Sequence, residues 1–237
     1  MIVSIHIPKT AGTSFRSDLS QLFGDRLLQD YDDWPESRVP EARAHHERNR
    51  AAVLAEAAVI ADRYDAIHGH FLAGKYGGVF PVTALVTMVR DPYQHAVSSY
   101  EDAARRSDSP HPGFRRFKEE GMTLVDFIEA VPNHQSLYLD STPLEDFAVV
   151  GLTERYEQSV ALFGAVFGIA MPRAVTRKNV NPEKAGVVYE ITPAVRRAVE
   201  RYRAEDIALY RKAGESLAKL CSVYGVSRRK TFMMNTT

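Results

Sequence analysis

The chain has 237 residues, of which 45% are hydrophobic and 25% are charged, as in ordinary soluble globular proteins. Lys and Arg together number 30, as do Asp and Glu, so the formal net charge is zero. This balance argues against a surface that binds nucleic acid or anionic membrane, although a local basic patch is compatible with it. The length predicts one domain over residues 1–237 with a sizeable core.

Compartment and processing are predicted from what the sequence contains. Cys221 is the single cysteine, so no disulfide can form within the chain, and a reducing compartment is expected. Met1 leads directly into an apolar run without a basic leader, and no apolar stretch is long enough to span a bilayer. We therefore expect a cytoplasmic protein whose residues 226–237 form a flexible tail. The sequence predicts no oligomeric state.

Apolar periodicity predicts alternating strands and helices. Strands are predicted over residues 2–5, 64–67, 82–89 and 147–152. Helices are predicted over residues 14–23, 41–61, 93–104, 123–131, 153–167, 194–213 and 214–224. Residues 24–40 and 105–121 are polar and are expected to form exposed insertions. His45 and His46 are adjacent on a charged helix, which favours a solvated helix face over a metal site.

The alternation of strands and helices predicts an α/β fold with a central parallel sheet flanked by helices. In such sheets, ligands bind beyond the carboxyl ends of the strands. Three polar motifs lie at or just after predicted strand ends: Lys9–Ser14, His68–His70 and Arg90–Ser98. We therefore expect the three motifs to converge on one cleft.

The segment from Lys9 to Ser14, KTAGTS, follows a buried strand and opens a helix. The free N–H groups and the dipole at a helix N-terminus attract anions, so this loop predicts a phosphate site. The lysine precedes the glycine, whereas the nucleoside-triphosphate loop has the order GxxxxGK[ST], and no strand ends in an evident Mg²⁺-binding Asp. The loop therefore favours binding of a phosphate without ATP hydrolysis.

Four blocks together resemble the sulfotransferase superfamily. They are HIPKTAGTSF (6–15), HGHF (68–71), VRDPYQHAVSSY (89–100) and VGLTERYEQSVALF (150–163). Their order and spacing are most similar to those of the heparan and uronyl 2-O-sulfotransferases (sulfotransferase family 2) and their bacterial relatives. The resemblance covers most of the chain, except residues 24–60 and 105–122.

The resemblance implies the P-loop-like sulfotransferase fold and the cosubstrate 3′-phosphoadenosine 5′-phosphosulfate (PAPS), which leaves as PAP. It implies that Arg90 and Ser98 hold the 3′-phosphate. It also implies that His70 is the catalytic base, with His68 beside it, and that Lys9 acts on the departing phosphate. The 5′-phosphosulfate would be held by Lys9, Thr10, Ala11, Gly12, Thr13 and Ser14.

Sulfuryl transfer suits these residue types. An acceptor hydroxyl must lose a proton, which a histidine can take near neutral pH, and a lysine can stabilise the charge on the leaving oxygen. No metal is required, and none is predicted. His6, Asn133 and Gln135 are candidate acceptor contacts. The resemblance also implies that a cationic loop lies over the 3′-phosphate through Arg177, Lys178, Asn179 and Lys184.

Three functions remain open on the sequence. The leading prediction is a PAPS-dependent O-sulfotransferase whose acceptor is a saccharide or another small molecule. A P-loop-type kinase or nucleotide hydrolase would keep the fold, but the order of Lys and Gly in the loop argues against it. A non-catalytic module that binds a nucleotide or a glycan would bind PAP without transferring a group.

Overall fold

We analysed a computed structural model of the chain, which describes residues 1–33, 35, 40–80, 83–106, 117, 119–171 and 188–227. Five strands form one sheet: β1 (Ile2–Ile5), β2 (Leu27–Asp30), β3 (Ala66–Gly69), β4 (Ala84–Val89) and β5 (Phe147–Leu152). Every pairing is parallel, and the strand order is β2-β3-β1-β4-β5. The predicted parallel sheet is therefore confirmed.

Nine helices within these ranges flank the sheet or extend it. They are α1 (Gly12–Phe23), α2 (Pro40–Ala55), α3 (Ala57–Arg63), α4 (Pro92–Arg105), α5 (Leu124–Ala130), α6 (His134–Leu139), α7 (Tyr156–Phe167), α8 (Pro193–Tyr202) and α9 (Ala204–Val223). Short 3₁₀ turns cover Gly24–Arg26, Ala73–Lys75, Leu144–Asp146 and Thr153–Arg155. The described helices include none with the length and apolarity of a membrane span.

Local sequence explains several helix starts. Asp91 accepts hydrogen bonds from the N–H groups of residues 93 and 94, and Pro92 occupies the first turn of α4, where its missing N–H costs nothing. Thr123 and Asp126 form a reciprocal capping box at the start of α5. Thr192 caps α8 by a single bond, since its hydroxyl accepts from the N–H of residue 195.

The sheet interior is filled by apolar side chains from all five strands, against which α1, α7 and α9 pack. A second, smaller cluster joins α4, α5 and α8 through Ala96, Ile128, Val195, Ala198 and Val199. This second cluster packs α4 against α5 and α8. The start of α4, which carries the motif after Arg90, is thereby held in place.

Four predicted boundaries were wrong. The helix predicted over residues 41–61 is divided at Glu56 into α2 and α3. Residues 24–40 are not only an exposed insertion, because β2 lies within them and pairs with β3. The third strand begins at Ala66 and includes His68, instead of ending at residue 67. The last two helices separate at Arg203 and not at Gly214, which lies inside α9. Most of the predicted exposed segment 105–121, the cationic loop 176–186 and the tail beyond residue 227 lie outside the described residues.

Candidate active site

The three motifs meet at one edge of the sheet. β1, β3 and β4 are neighbours with the same direction, so the segments that follow them leave the sheet side by side. The chain moves from β1 toward β2 on one side and from β3 to β4 on the other, which makes the β1/β4 boundary the switch point where ligands bind in parallel sheets. The arrangement predicted from the sequence is thus present.

The loop after β1 has a backbone that suits an anion. Lys9 and Ala11 have positive φ angles of 65° and 67°, and Thr10 lies between them. Alternation of right- and left-handed residues turns successive N–H groups toward one side, which forms an anion-binding nest. The Thr10 hydroxyl is buried and donates to the carbonyl of Ile7 (2.8 Å), so this side chain fixes the loop. Ser14 is also buried, in the first turn of α1, and Thr13 is half-buried.

Lys9 is held at the rim of the loop by an acidic residue that the sequence analysis did not assign to it. Its ammonium group lies 3.1 Å from a carboxylate oxygen of Asp102, on α4, and its side chain is 28% exposed. The ammonium is therefore partly accessible, and it shares the Asp102 carboxylate with Arg105 (3.3 Å) and Arg106 (3.2 Å). An anionic ligand at the loop would compete with Asp102 for it.

Three histidine rings form a stack between β1 and β3. The parallel register continues past the strands, because the His6 N–H donates to the carbonyl of Gly69 (2.7 Å). The His6 ring then stacks on His70 (centroids 4.3 Å apart) and on His68 (5.1 Å). Gly12 faces this stack, since a Cβ placed there would lie 1.8 Å from Cδ2 of His6. A larger residue at position 12 would displace the ring.

A hydrogen bond to a carbonyl oxygen defines the proton position on one of these rings. The Nδ1 atom of His70 lies 2.6 Å from the His6 carbonyl oxygen, which can only accept, so His70 carries a proton on Nδ1 and its basic lone pair on Nε2. Nδ1 of His68 bonds to the hydroxyl of Ser4 (2.8 Å). Burial lowers the pKa of His68 to about 3 and places the pKa of His6 well below its usual range. Both rings are thus neutral beside half-buried His70.

Arg90 is fixed through its backbone. Its N–H donates to Oε1 of Gln135 (2.8 Å), and its carbonyl accepts from Nε2 of the same amide (2.9 Å). Its guanidinium donates to the carbonyl of Lys9 (3.2 Å) and lies 5.8 Å from the centre of the Tyr189 ring. Two predicted phosphate-binding segments are therefore in direct contact. Ser98 lies on α4 and is 5% exposed.

Gln135 does not contact an acceptor as predicted. It has no exposed surface, and both ends of its amide hold the Arg90 backbone, so it acts as a positioning residue. Asn133 is half-buried, and its side-chain oxygen accepts from the N–H of Glu205 at the start of α9. The four residues Arg177, Lys178, Asn179 and Lys184 lie outside the described part of the chain.

Residues at the break between α8 and α9 support the loop after β1 and the segment of Arg90. His95 donates from Nε2 to the carbonyl of Pro8 (3.0 Å), and its Nδ1 accepts from Nη1 of Arg203 (3.2 Å). Asp206, which is fully buried, accepts from the N–H groups of Gln135 (3.0 Å) and Ser136 (2.8 Å). Two bonded paths therefore connect the N-terminus of α9 with the loop and with Arg90.

The sequence did not predict that residues at the end of β2 border the histidine stack. Tyr31 places its ring edge-on against His70 (4.8 Å), and its hydroxyl lies 3.0 Å from Nδ1 of His6. Its neighbour Asp30 accepts from the buried ammonium of Lys75 (2.6 Å) and from the Tyr76 hydroxyl (2.8 Å). No motif marks these residues. Asp30 and Tyr31 lie in the polar segment 24–40, which the sequence predicts to be an exposed insertion.

Gly69 explains why β2 can approach so closely. A Cβ at this position would lie 1.5 Å from the carbonyl oxygen of Asp30. The central glycine of the HGH motif is therefore required for the β2–β3 pairing that places Tyr31 against His70. His45 and His46 also face this region, at 3.5 Å from Asp32 and 3.7 Å from Asp33, so the prediction of a solvated helix face was wrong.

Among the described residues, no group of three or more His, Cys, Asp or Glu side chains is arranged to hold a metal ion. The prediction that the site uses no metal remains a prediction.

Three solved structures that match this chain are sulfotransferases. The crystal structure of a sulfotransferase from Alicyclobacillus acidocaldarius aligns over 95% of this chain and 96% of its own, with 17% identity and a TM-score of 0.50. Mouse sulfotransferase SULT7A1, solved with PAP, aligns over 94% of this chain and 85% of its own (10% identity, TM-score 0.42). The sulfotransferase domain from the curacin biosynthetic pathway aligns over 85% and 96% (9% identity, TM-score 0.37).

No protein-family model and no curated protein sequence matches the chain. The likeness to the bacterial enzyme, over nearly the full length of both chains, establishes the fold. The central parallel sheet, flanked by helices, has the P-loop-like architecture of sulfotransferases.

Proposed function

We propose that this chain is a sulfotransferase that moves the sulfuryl group of PAPS to a hydroxyl of a carbohydrate acceptor. The observation that supports it most is the contact among the three motifs at the β1/β4 switch point. The Arg90 guanidinium bonds to the Lys9 carbonyl, and Nδ1 of His70 bonds to the His6 carbonyl. One ligand lying along these segments would meet a phosphate loop, a guanidinium and a base.

The proposed step is an in-line displacement at sulfur. The acceptor oxygen forms a new bond to sulfur while the bond between sulfur and the bridging phosphate oxygen breaks. The acceptor proton passes to Nε2 of His70, whose Nδ1 proton is already committed to the His6 carbonyl. The electron pair of the broken bond stays on the 5′-phosphate of PAP, where Lys9 and the N–H groups of the loop stabilise it.

Nucleotide recognition is proposed to use both sides of the switch point. Lys9 and residues 10–14 would hold the 5′-phosphosulfate, and Lys9 would exchange its bond with Asp102 for one with the ligand. Arg90 and Ser98 would hold the 3′-phosphate, because a guanidinium matches the fork of phosphate oxygens. The position of Arg90 does not depend on the ligand, since Gln135 holds its backbone on both sides.

Binding of PAP is the first test. Calorimetry should give a measurable dissociation constant for the wild type, raised at least tenfold in Lys9→Ala and in Arg90→Ala. Lys219→Ala, an exposed change on α9, is the matched control and should bind PAP as the wild type does. Unchanged PAP affinity in both site variants would remove the nucleotide assignment.

Turnover is the second test. A panel of carbohydrate and small-molecule acceptors with radiolabelled PAPS, read by mass spectrometry, should yield a sulfated product. His70→Asn should lose at least 100-fold in kcat while PAP affinity stays unchanged. Sulfation that persists in this variant would exclude His70 as the base. ATP turnover that depends on Mg²⁺ would favour a kinase or hydrolase instead, and PAP binding without any transfer would favour a binding module.

A further inference from the structure

Tyr189 is held against α4 through its backbone and through its side chain. Its N–H donates to Oε1 of Gln94 (2.7 Å), and its carbonyl accepts from Nε2 of the same amide (3.0 Å). Its hydroxyl donates to a carboxylate oxygen of Glu101 (3.2 Å). Gln94 and Glu101 lie about two turns apart and therefore on one face of α4. Tyr189 thus extends along that face and is fixed at both ends.

Both residues that are proposed to hold the 3′-phosphate lie beside this tyrosine. Ser98 follows Gln94 by about one turn of α4 and shares its face with Gln94 and Glu101. The Arg90 guanidinium lies 5.8 Å from the centre of the Tyr189 ring, within the range of a cation–π contact. The half-buried ring therefore borders the guanidinium next to the helix face that carries Ser98.

The backbones of both partners in the cation–π contact are fixed in the same way. Gln135 bonds to the N–H and to the carbonyl of Arg90, and Gln94 bonds to the N–H and to the carbonyl of Tyr189. An amide side chain can do this because it has both a donor and an acceptor. Arg90 follows β4 directly, whereas Tyr189 lies much later in the chain. Two distant segments are thus held independently in the positions that bring the ring to the guanidinium.

The ring can orient the guanidinium without neutralising it. Among the described residues, the Arg90 guanidinium donates to one acceptor, the Lys9 carbonyl (3.2 Å), and forms no ion pair with a carboxylate. Lys9, by contrast, pairs with Asp102. A tyrosine ring attracts a cation through its quadrupole and carries no net charge. A phosphate that binds Arg90 would therefore have no carboxylate of the described residues to displace from it.

We propose that Tyr189 is a positioning residue that orients the Arg90 guanidinium toward the 3′-phosphate and thereby determines the preference for a nucleotide that carries this group. The inference rests on the proposed function. Tyr189 acts through Arg90 and contacts neither the adenine nor the reacting atoms. Gln94 and Glu101 support it by holding the backbone and the hydroxyl of the tyrosine.

Calorimetry with PAP and with adenosine 5′-monophosphate (AMP), which lacks the 3′-phosphate, isolates the contribution of that group. The wild type is expected to bind PAP at least about tenfold more tightly than AMP. Tyr189→Leu should weaken PAP binding about three- to tenfold, as a cation–π contact provides, and leave AMP binding unchanged. Tyr189→Phe should retain most of the PAP affinity, because the ring remains. Tyr224→Leu is the matched control, since Tyr224 is exposed at the carboxyl end of α9.

A double-mutant cycle with Arg90→Ala tests whether Tyr189 acts through Arg90. Once the guanidinium has been removed, Tyr189→Leu should have no further effect on PAP affinity. Additive losses in the cycle, or an equal loss of PAP and AMP affinity in Tyr189→Leu, would overturn the inference. If circular dichroism shows that Tyr189→Leu does not fold, Gln94→Leu decides. A loss of affinity in Gln94→Leu that is confined to PAP supports the inference, and any other result overturns it.

The wild type separates the two hypotheses. Failure of the wild type to bind PAP would refute the proposed function and, with it, the role of Tyr189. PAP binding by the wild type that Tyr189→Leu leaves unchanged would overturn the inference alone, and the sulfotransferase proposal would stand.

Discussion

Acid should destabilise this protein because its buried histidines must take up protons. The loss of stability can be calculated for His68. An unfolded histidine titrates near pH 6.5, whereas burial lowers the pKa of His68 to about 3 in the folded chain. Between these two values the unfolded state binds one more proton than the folded state, so stability falls as the pH falls below about 6.5. At pH 5 the loss from this residue is about 2 kcal/mol relative to pH 7.5.

Urea unfolding at pH 7.5, 6 and 5 measures this loss. His68→Asn keeps a polar group against Ser4 but cannot titrate, so its loss of stability between pH 7.5 and 5 should be about 2 kcal/mol smaller than that of the wild type. Burial also lowers the pKa of His6 and His95. The wild type should therefore lose more stability between pH 7.5 and 5 than His68 alone accounts for. An identical pH dependence in both proteins, or an NMR titration of the His68 ring near pH 6.5, would refute the reasoning.

Two further predictions test the walls of the site. Gly12→Ala should lower the free energy of unfolding by about 1–3 kcal/mol and weaken PAP binding, because the new Cβ overlaps the His6 ring. Gly77→Ala is the control in urea unfolding, because a Cβ at that position makes only ordinary van der Waals contacts. Equal stability of both variants would contradict the close contact. Lys75→Met should lower the free energy of unfolding by about 3–5 kcal/mol in the same assay, because it leaves the Asp30 carboxylate buried without its cation. A loss below about 1 kcal/mol would show that water reaches the ion pair.

Much of the fold could be predicted from the sequence, because most helices and strands are long and their local residue patterns agree with the structure they form. The apolar β-branched run of β4 and the capped helices α4 and α5 need no tertiary information. The edge strand β2 was missed because Leu27–Asp30 is short and half polar, and only its pairing with β3 makes it a strand. Length and periodicity cannot report such a pairing.

The site was predictable where residues adjacent in sequence act together. Lys9–Ser14 and the HGH motif each form a local unit at the end of one strand, whereas Tyr31 and Asp102 join the site through tertiary contacts. The sequence predicts a helix boundary at Gly214, but the break occurs at Arg203. This side chain is fully buried and bonds to His95, and no local rule includes that contact.

The hydrogen-bonded paths from the N-terminus of α9 to the loop and to Arg90 determine when the site can form during synthesis of the chain. The loop near Pro8 and the backbone of Arg90 are made early, but Arg203 and Asp206, which support them, leave the ribosome near the end of translation. A nascent chain that stops before residue 203 therefore has all three motifs and lacks both supports. The proposed ability to bind a nucleotide should consequently be acquired late in synthesis, when α9 docks, so a truncated chain would contain the motifs without a formed site.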